Sequence, residues 1–109
     1  MTGEVRTLVI YPDGESVLAA MEPALDKIGG LVSGPLEAIH LTSCHIYVNE
    51  NGKLDDQEPN LVATMFAMQL GWLNPFDDVL TGPAVFLGNG PGGSEADLPD
   101  DVVSAFIAL

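Results

Sequence analysis

At 109 residues the chain has room for one domain, and 47% hydrophobic against 17% charged residues is enough to bury a core. Sixteen acids against three bases leave a net charge of −13, so a nucleic-acid backbone or an anionic membrane surface would be repelled. No apolar run approaches the roughly 20 residues needed to cross a bilayer, and the N-terminus lacks the pattern of a signal peptide. A single cysteine, Cys44, excludes an intramolecular disulfide and fits a reducing cytoplasm.

In chain order, VRTLVIYP is β-branched and apolar and predicts a strand over 5–11. Asp13-Gly14 supplies a tight turn into a second strand over 15–21, giving a hairpin. Pro23 argues against one continuous helix over 15–28. A short helix over 23–29 is expected instead, with Glu22 before it and Gly29-Gly30 closing it. Strands follow near 36–42 and 44–49, the first bent or bulged at Gly34-Pro35. NLVATMFAMQLGW predicts a helix over 60–71, capped by Asn60, with Leu61, Met65 and Met68 on one face and Phe66 and Leu70 widening the stripe. A strand over 79–88 carries a Gly-Pro interruption, GNGPGGSEA is a flexible loop, and a last helix over 98–107 is capped by Asp97.

This order predicts an α+β domain: a mainly antiparallel sheet of about five strands, with two or three helices packed on one face. Leu8, Ile10, Leu25, Ile46, Val48, Met65, Leu70, Val85, Phe86 and Phe106 are the expected core.

Several patterns invite a chemical reading and do not sustain it. Gly88 to Gly93 match G-x-G-x-x-G after a strand, but acids follow where phosphates would sit and the second strand of a dinucleotide site is missing. Residues 47–58 resemble a calcium loop with Gly52 at its sixth position, yet Tyr47 stands where the first carboxylate is required. His40, Cys44 and His45 are too close in sequence for the paired spacing of a zinc site; Cys44 and His45 should point to opposite faces of a strand, with Cys44 buried and the histidines partly exposed. Asp55-Asp56 and Asp77-Asp78 read as solvated turns. The residues therefore predict no catalysis, cofactor, metal or nucleotide.

The segment IYVNENGKLDDQEPN raises a separate question, because one of three basic residues sits in it among acids. Asn51-Gly52 reverses the chain, Lys53 screens Glu50 and Asp55, and Pro59-Asn60 ends the loop and caps the next helix. The same stretch supplies the candidate partner-binding residues: Asn49, Glu50, Asn51, Gly52, Lys53, Asp55, Asp56, Pro59 and Asn60.

LVIYPDG, the Gly-Gly pair, LEAIHL, VNENGKL with Pro59-Asn60, GPAVFLG and DLPDDVV together resemble the family catalogued as domain of unknown function 3846. LVSGP departs from the family pattern, in which an apolar-Glu strand follows the glycines at once. LDDQEPN is also more acidic than that pattern. The family carries no activity over. The resemblance implies a small accessory protein of a phage or mobile element in a bacterial cytoplasm. From this context, and from the lack of a catalytic constellation, we expect a non-enzymatic protein that binds a host protein, basic or DNA-binding by charge, with no direct nucleic-acid or membrane contact. The residues set no oligomeric state. A DNA mimic presenting its carboxylates as phosphates is the alternative within binding proteins, and a sponge for a signalling nucleotide is the alternative outside them.

Overall fold

The structure, a computed structural model, describes residues 3–52, 56–75 and 77–109. Strands β1 (Val5–Ile10) and β2 (Ser16–Met21) form the predicted hairpin, with Gly14 at a φ of 90° in its turn. Helix α1 (Leu25–Val32) leads to a second hairpin, β3 (Leu36–His40) and β4 (His45–Asn49). Helix α2 (Leu61–Gln69), β5 (Ala84–Asn89), the short β6 (Glu95–Ala96) and helix α3 (Asp100–Ile107) complete the chain.

The sheet order is β2-β1-β5-β4-β3, and every pairing is antiparallel. β6 pairs with β5 over Gly88 and Asn89, beyond the residues of β5 that pair with β1. The α+β class and the antiparallel sheet are as expected. The helices, however, do not share one face.

Alternation along each strand sends side chains to two separate cores. Leu8, Ile10, Ile46 and Phe86 pack with Phe66 of α2 and Val102 of α3 on one side. Val9, Val85 and Leu87 pack with Ile28 and Val32 of α1 on the other. Because β5 lies inside the sheet and both its faces are covered, two layers of helix are required rather than one.

Several boundaries differ from expectation. Gly29 and Gly30 lie inside α1, which ends at Ser33 with a φ of 64°. A helical glycine costs about 1 kcal/mol, whereas full burial of an Ile or Val is worth roughly 1.5–3 kcal/mol. Ile28 and Val32, four residues apart and both fully buried, therefore carry the helix past the glycines. Leu31 and Val32 of the LVSGP segment thus complete a helix, and Gly34-Pro35 precede β3 instead of bulging it. Ile28 and Val32 orient the helix, and Leu25 in its first turn is left exposed.

β5 begins only at Ala84, after Gly82 turns the chain at a φ of 73°. GNGPGGSEA is not an open loop: it closes tightly, with the Gly90 N–H donating to Ser94 O at 2.7 Å, and delivers β6. The residue flanking α3 is Pro99, and Asp97 accepts the Arg6 backbone N–H at 2.7 Å instead of capping the helix.

The larger correction concerns α2. Ala63, Phe66 and Ala67 are its fully buried residues, and Met65, expected in the core, faces water. A helix apolar all round has no period to select its inner face. Two alanines let the backbone approach the sheet, and Phe66 then fills the space against Phe86 and Phe106, with ring centroids 5.6 and 5.3 Å away. Among the described residues no helix is long and apolar enough to cross a membrane.

Asn60 ties three elements together. Its Oδ1 accepts the Ala63 N–H at 3.1 Å, the cap expected of α2, and its Nδ2 donates to Ile10 O at 2.8 Å and Gly82 O at 2.9 Å. Asn60→Ala removes the cap and leaves buried carbonyls without donors. A loss of roughly 3 kcal/mol is expected in equilibrium urea unfolding. Asn60→Asp keeps the cap but not the donors, and should be destabilised as well. A loss below about 1 kcal/mol for both variants would contradict this role.

Candidate functional site

The predicted partner-binding segment divides into an interior and an exterior. Asn49 is buried, and its Nδ2 donates to Val32 O at 3.1 Å and Ser33 O at 3.2 Å, satisfying carbonyls at the end of α1. Its Oδ1 accepts the Asn51 N–H at 2.7 Å, which forms the turn. Gly52 is required by space: a Cβ there would collide with Thr81 Oγ1. With Asn60, these residues are joints of the fold. Glu50, Asp56 and Pro59 reach solvent, and Lys53 and Asp55 lie outside the described residues, so the expected screening by Lys53 does too.

Beside this segment is a cleft of about 190 Å³ whose wall carries Glu37, Glu50 and Asp78 as well as Asn49 and Thr81. Asp97 and Asp100 lie elsewhere, bonded to Arg6. Ile10, four residues along β1 and about 13 Å away, receives Asn60, which Asp56 and Glu58 precede in sequence. Arg6 and Asn60 thus sit at opposite ends of β1.

The histidines depart from expectation. His40 is exposed, but His45 is buried. Asn89 donates through Nδ2 to Leu41 O at 3.0 Å, which turns its Oδ1 toward His45 Nδ1 at 2.7 Å. The other ring nitrogen donates to Glu95 Oε1 at 2.8 Å. Both ring nitrogens therefore have hydrogen-bond partners within the protein. Burial, with the nearby Glu95 carboxylate, pushes the Tyr47 hydroxyl above its ordinary range.

Cys44 belongs to the opposite core, as strand alternation requires. Burial pushes its thiol up, against a weaker pull from a Ser43 hydrogen bond. Thiolate is scarce there, and Cys44 and His45 do not form a nucleophile and base. Gly88 has a packing role rather than a phosphate-binding one, since a Cβ on it would collide with the Asp97 carbonyl. No three His, Cys, Asp or Glu side chains converge in a metal-binding arrangement among the described residues.

The feature missed at the sequence level is the outer face of α2. Leu61, Met65 and Met68 stand 61%, 67% and 48% exposed, and Leu73 just beyond the helix is 90% exposed. Spacings of four and three residues put the first three on one side of the helix. The legible signal is charge: residues 59–76 contain no charged side chain, in a chain with 19 of them. Next to this face, Leu70, Trp72 and Leu73 line a cleft of about 350 Å³ with His40 and Leu41. An apolar stripe in water, rich in adaptable methionine, is the surface type that takes up a protein partner.

Residues 5–109 match the family described as Domain of unknown function (DUF3846), and the chain belongs to that family. No curated protein and no solved structure matches it.

The state of Cys44 is directly measurable. With the thiol buried and its ionisation suppressed, a disulfide reagent at neutral pH should modify the native chain only as fast as the chain unfolds, and instantly in denaturant. Prompt modification of native protein would show an accessible thiolate and contradict the burial described.

Proposed function

We propose that this chain is a non-enzymatic binding protein of a phage or mobile element, acting in a bacterial cytoplasm by docking a host protein on the outer face of α2. One observation carries the reading: α2 is apolar on both sides, its inner side fills the core, and Leu61 and Met65 on its outer side are exposed outside it, beside Met68, which is half exposed and accepts from Asn74 Nδ2 through its sulfur.

The partner's chemistry follows from what surrounds that face. Asp56 and Glu58 precede the uncharged stretch, Asp77 and Asp78 follow it, and no basic residue occurs after Lys53. A complementary surface has an apolar centre and a basic rim, which speeds encounter and selects against acidic proteins. The nearest alternative, DNA mimicry, would use the carboxylates alone. The ion pair of Asp100 with the Arg6 guanidinium, and the bond of Asp97 to the Arg6 backbone N–H, weigh against it, since both carboxylates have partners within the protein. The same pairing weighs against a nucleotide sponge, because it occupies one of three basic side chains.

Capture from host lysate should be followed by reconstitution with the purified partner. Met65→Asp is expected to weaken the complex by at least about tenfold while the far-ultraviolet spectrum and melting temperature stay close to those of the parent. Moderate salt should slow association more than it speeds dissociation. Binding unchanged by Met65→Asp but abolished by salt would favour mimicry. A nucleotide co-purifying in place of a protein would favour the sponge.

A further inference from the structure

The edges of the sheet are not alike. β3 at one edge carries Glu37, an exposed charge of the kind that discourages strand addition. β2 at the other edge is Ser-Val-Leu-Ala-Ala-Met: no charge, no proline and no bulge over six residues paired one-to-one with β1. Ser16 to Ala20 are exposed on both faces, with Val17 49% and Leu18 45% accessible, so no helix among the described residues covers this arm of the sheet.

Register decides which backbone groups face outward. Tyr11 N–H donates to Glu15 O at 2.8 Å, which makes 11/15 a hydrogen-bonded pair. In an antiparallel ladder such pairs alternate, so Val9/Val17, Thr7/Ala19 and Val5/Met21 also bond. The β1 carbonyls between them bear this out: Arg6 O and Ile10 O are taken from the far side, by the Leu98 N–H and the Asn60 side chain. The N–H and C=O groups of Ser16, Leu18 and Ala20 therefore point away from β1 into the open edge.

We infer that β2 is a docking edge for strand addition by an extended, apolar segment of another protein that carries a basic residue at one end. Charge selects this occupant. Asp13 and Glu15, both exposed, flank one end of β2, whereas Glu22 at the other is bonded to Lys27 at 2.8 Å. A second copy is a poor fit. A two-fold axis through Leu18, which lets the outward groups of Ser16, Leu18 and Ala20 bond to one another, would set Glu22 of one copy opposite Gly14 of the other, between Asp13 and Glu15, in a chain of net charge −13. Backbone bonds to the open edge would supply affinity, and contacts with Val17 and Leu18 on the two faces would supply preference for apolar side chains. This surface is independent of α2, and Met65→Asp leaves it untouched.

The test uses the full, isotope-labelled chain and a capped peptide of alternating Val and Thr with a Lys pair at one end. Bound peptide should slow amide exchange at Ser16, Leu18 and Ala20, while Val17 and Ala19 are already slow without it. A version ending in a Glu pair should bind about tenfold more weakly, and the difference should shrink with salt. Leu18→Pro removes an outward N–H and no ladder bond, so it should abolish binding. Leu18→Lys, at an exposed position that tolerates charge, provides the same loss if the proline variant folds poorly. Absence of binding, equal binding of the Glu version, or protection outside β2 overturns the proposal. So does a salt-promoted dimer that protects these same amides, because the occupant is then a second copy.

Discussion

The whole architecture depends on β5 lying between two hairpins that precede it in sequence. Ala84 to Gly88 are all buried, because β1 and β4 flank the strand and helices cover both its faces. Phe86 looks toward α2 and α3, and Val85 and Leu87 look toward α1. A slip of one residue would exchange these sets and put Phe86 into the space that Val85 and Leu87 share with Ile28 and Val32. Register along β5 thus sets both cores together, and in the strand order it is β5 that joins β1/β2 to β3/β4.

That placement gives Asn60 its importance. The chain leaves the second hairpin, forms α2, and must return to the centre of the sheet. Asn60 links the end of β1, the start of α2 and the turn before β5 in a single buried side chain. Thr64 extends the link: its hydroxyl donates to Asn60 O and accepts the Leu80 N–H at 2.9 Å. An uncharged amide suits this position because it donates and accepts at once without the desolvation of an ion. The Pro-Asn pair that ends the acidic loop is therefore an element of assembly, and the acids before it are left to face water.

Much of this was legible in the residues. β-branched runs located β1 and β4, Asp13-Gly14 and Pro23 together placed β2 and the first hairpin, and Asn60 announced the cap of α2. Tertiary context decided what was not legible. A helix such as Leu61–Gln69, apolar on every side, gives no sign of which face is inward, and the larger side chains suggested the wrong one. Gly29-Gly30 looked like a stop until the sheet offered burial to Ile28 and Val32. β6 is two residues long and exists because Arg6, Asp97 and Leu98 hold the chain beside β1. The His45–Glu95 bond spans 50 positions, and no local pattern foretells it. In the candidate partner-binding segment, the Asn49 and Asn60 side chains serve the fold.

The functional reading depends on Leu61, Met65 and Met68 lying outside the core. Equilibrium unfolding of the triple variant Leu61→Gln, Met65→Gln and Met68→Gln measures this without knowledge of any partner. If these side chains face water, stability should stay within about 1 kcal/mol of the parent. If they are core residues, the variant should lose several kcal/mol, as buried Leu and Met do when truncated or made polar, and that result would contradict an outward face on α2.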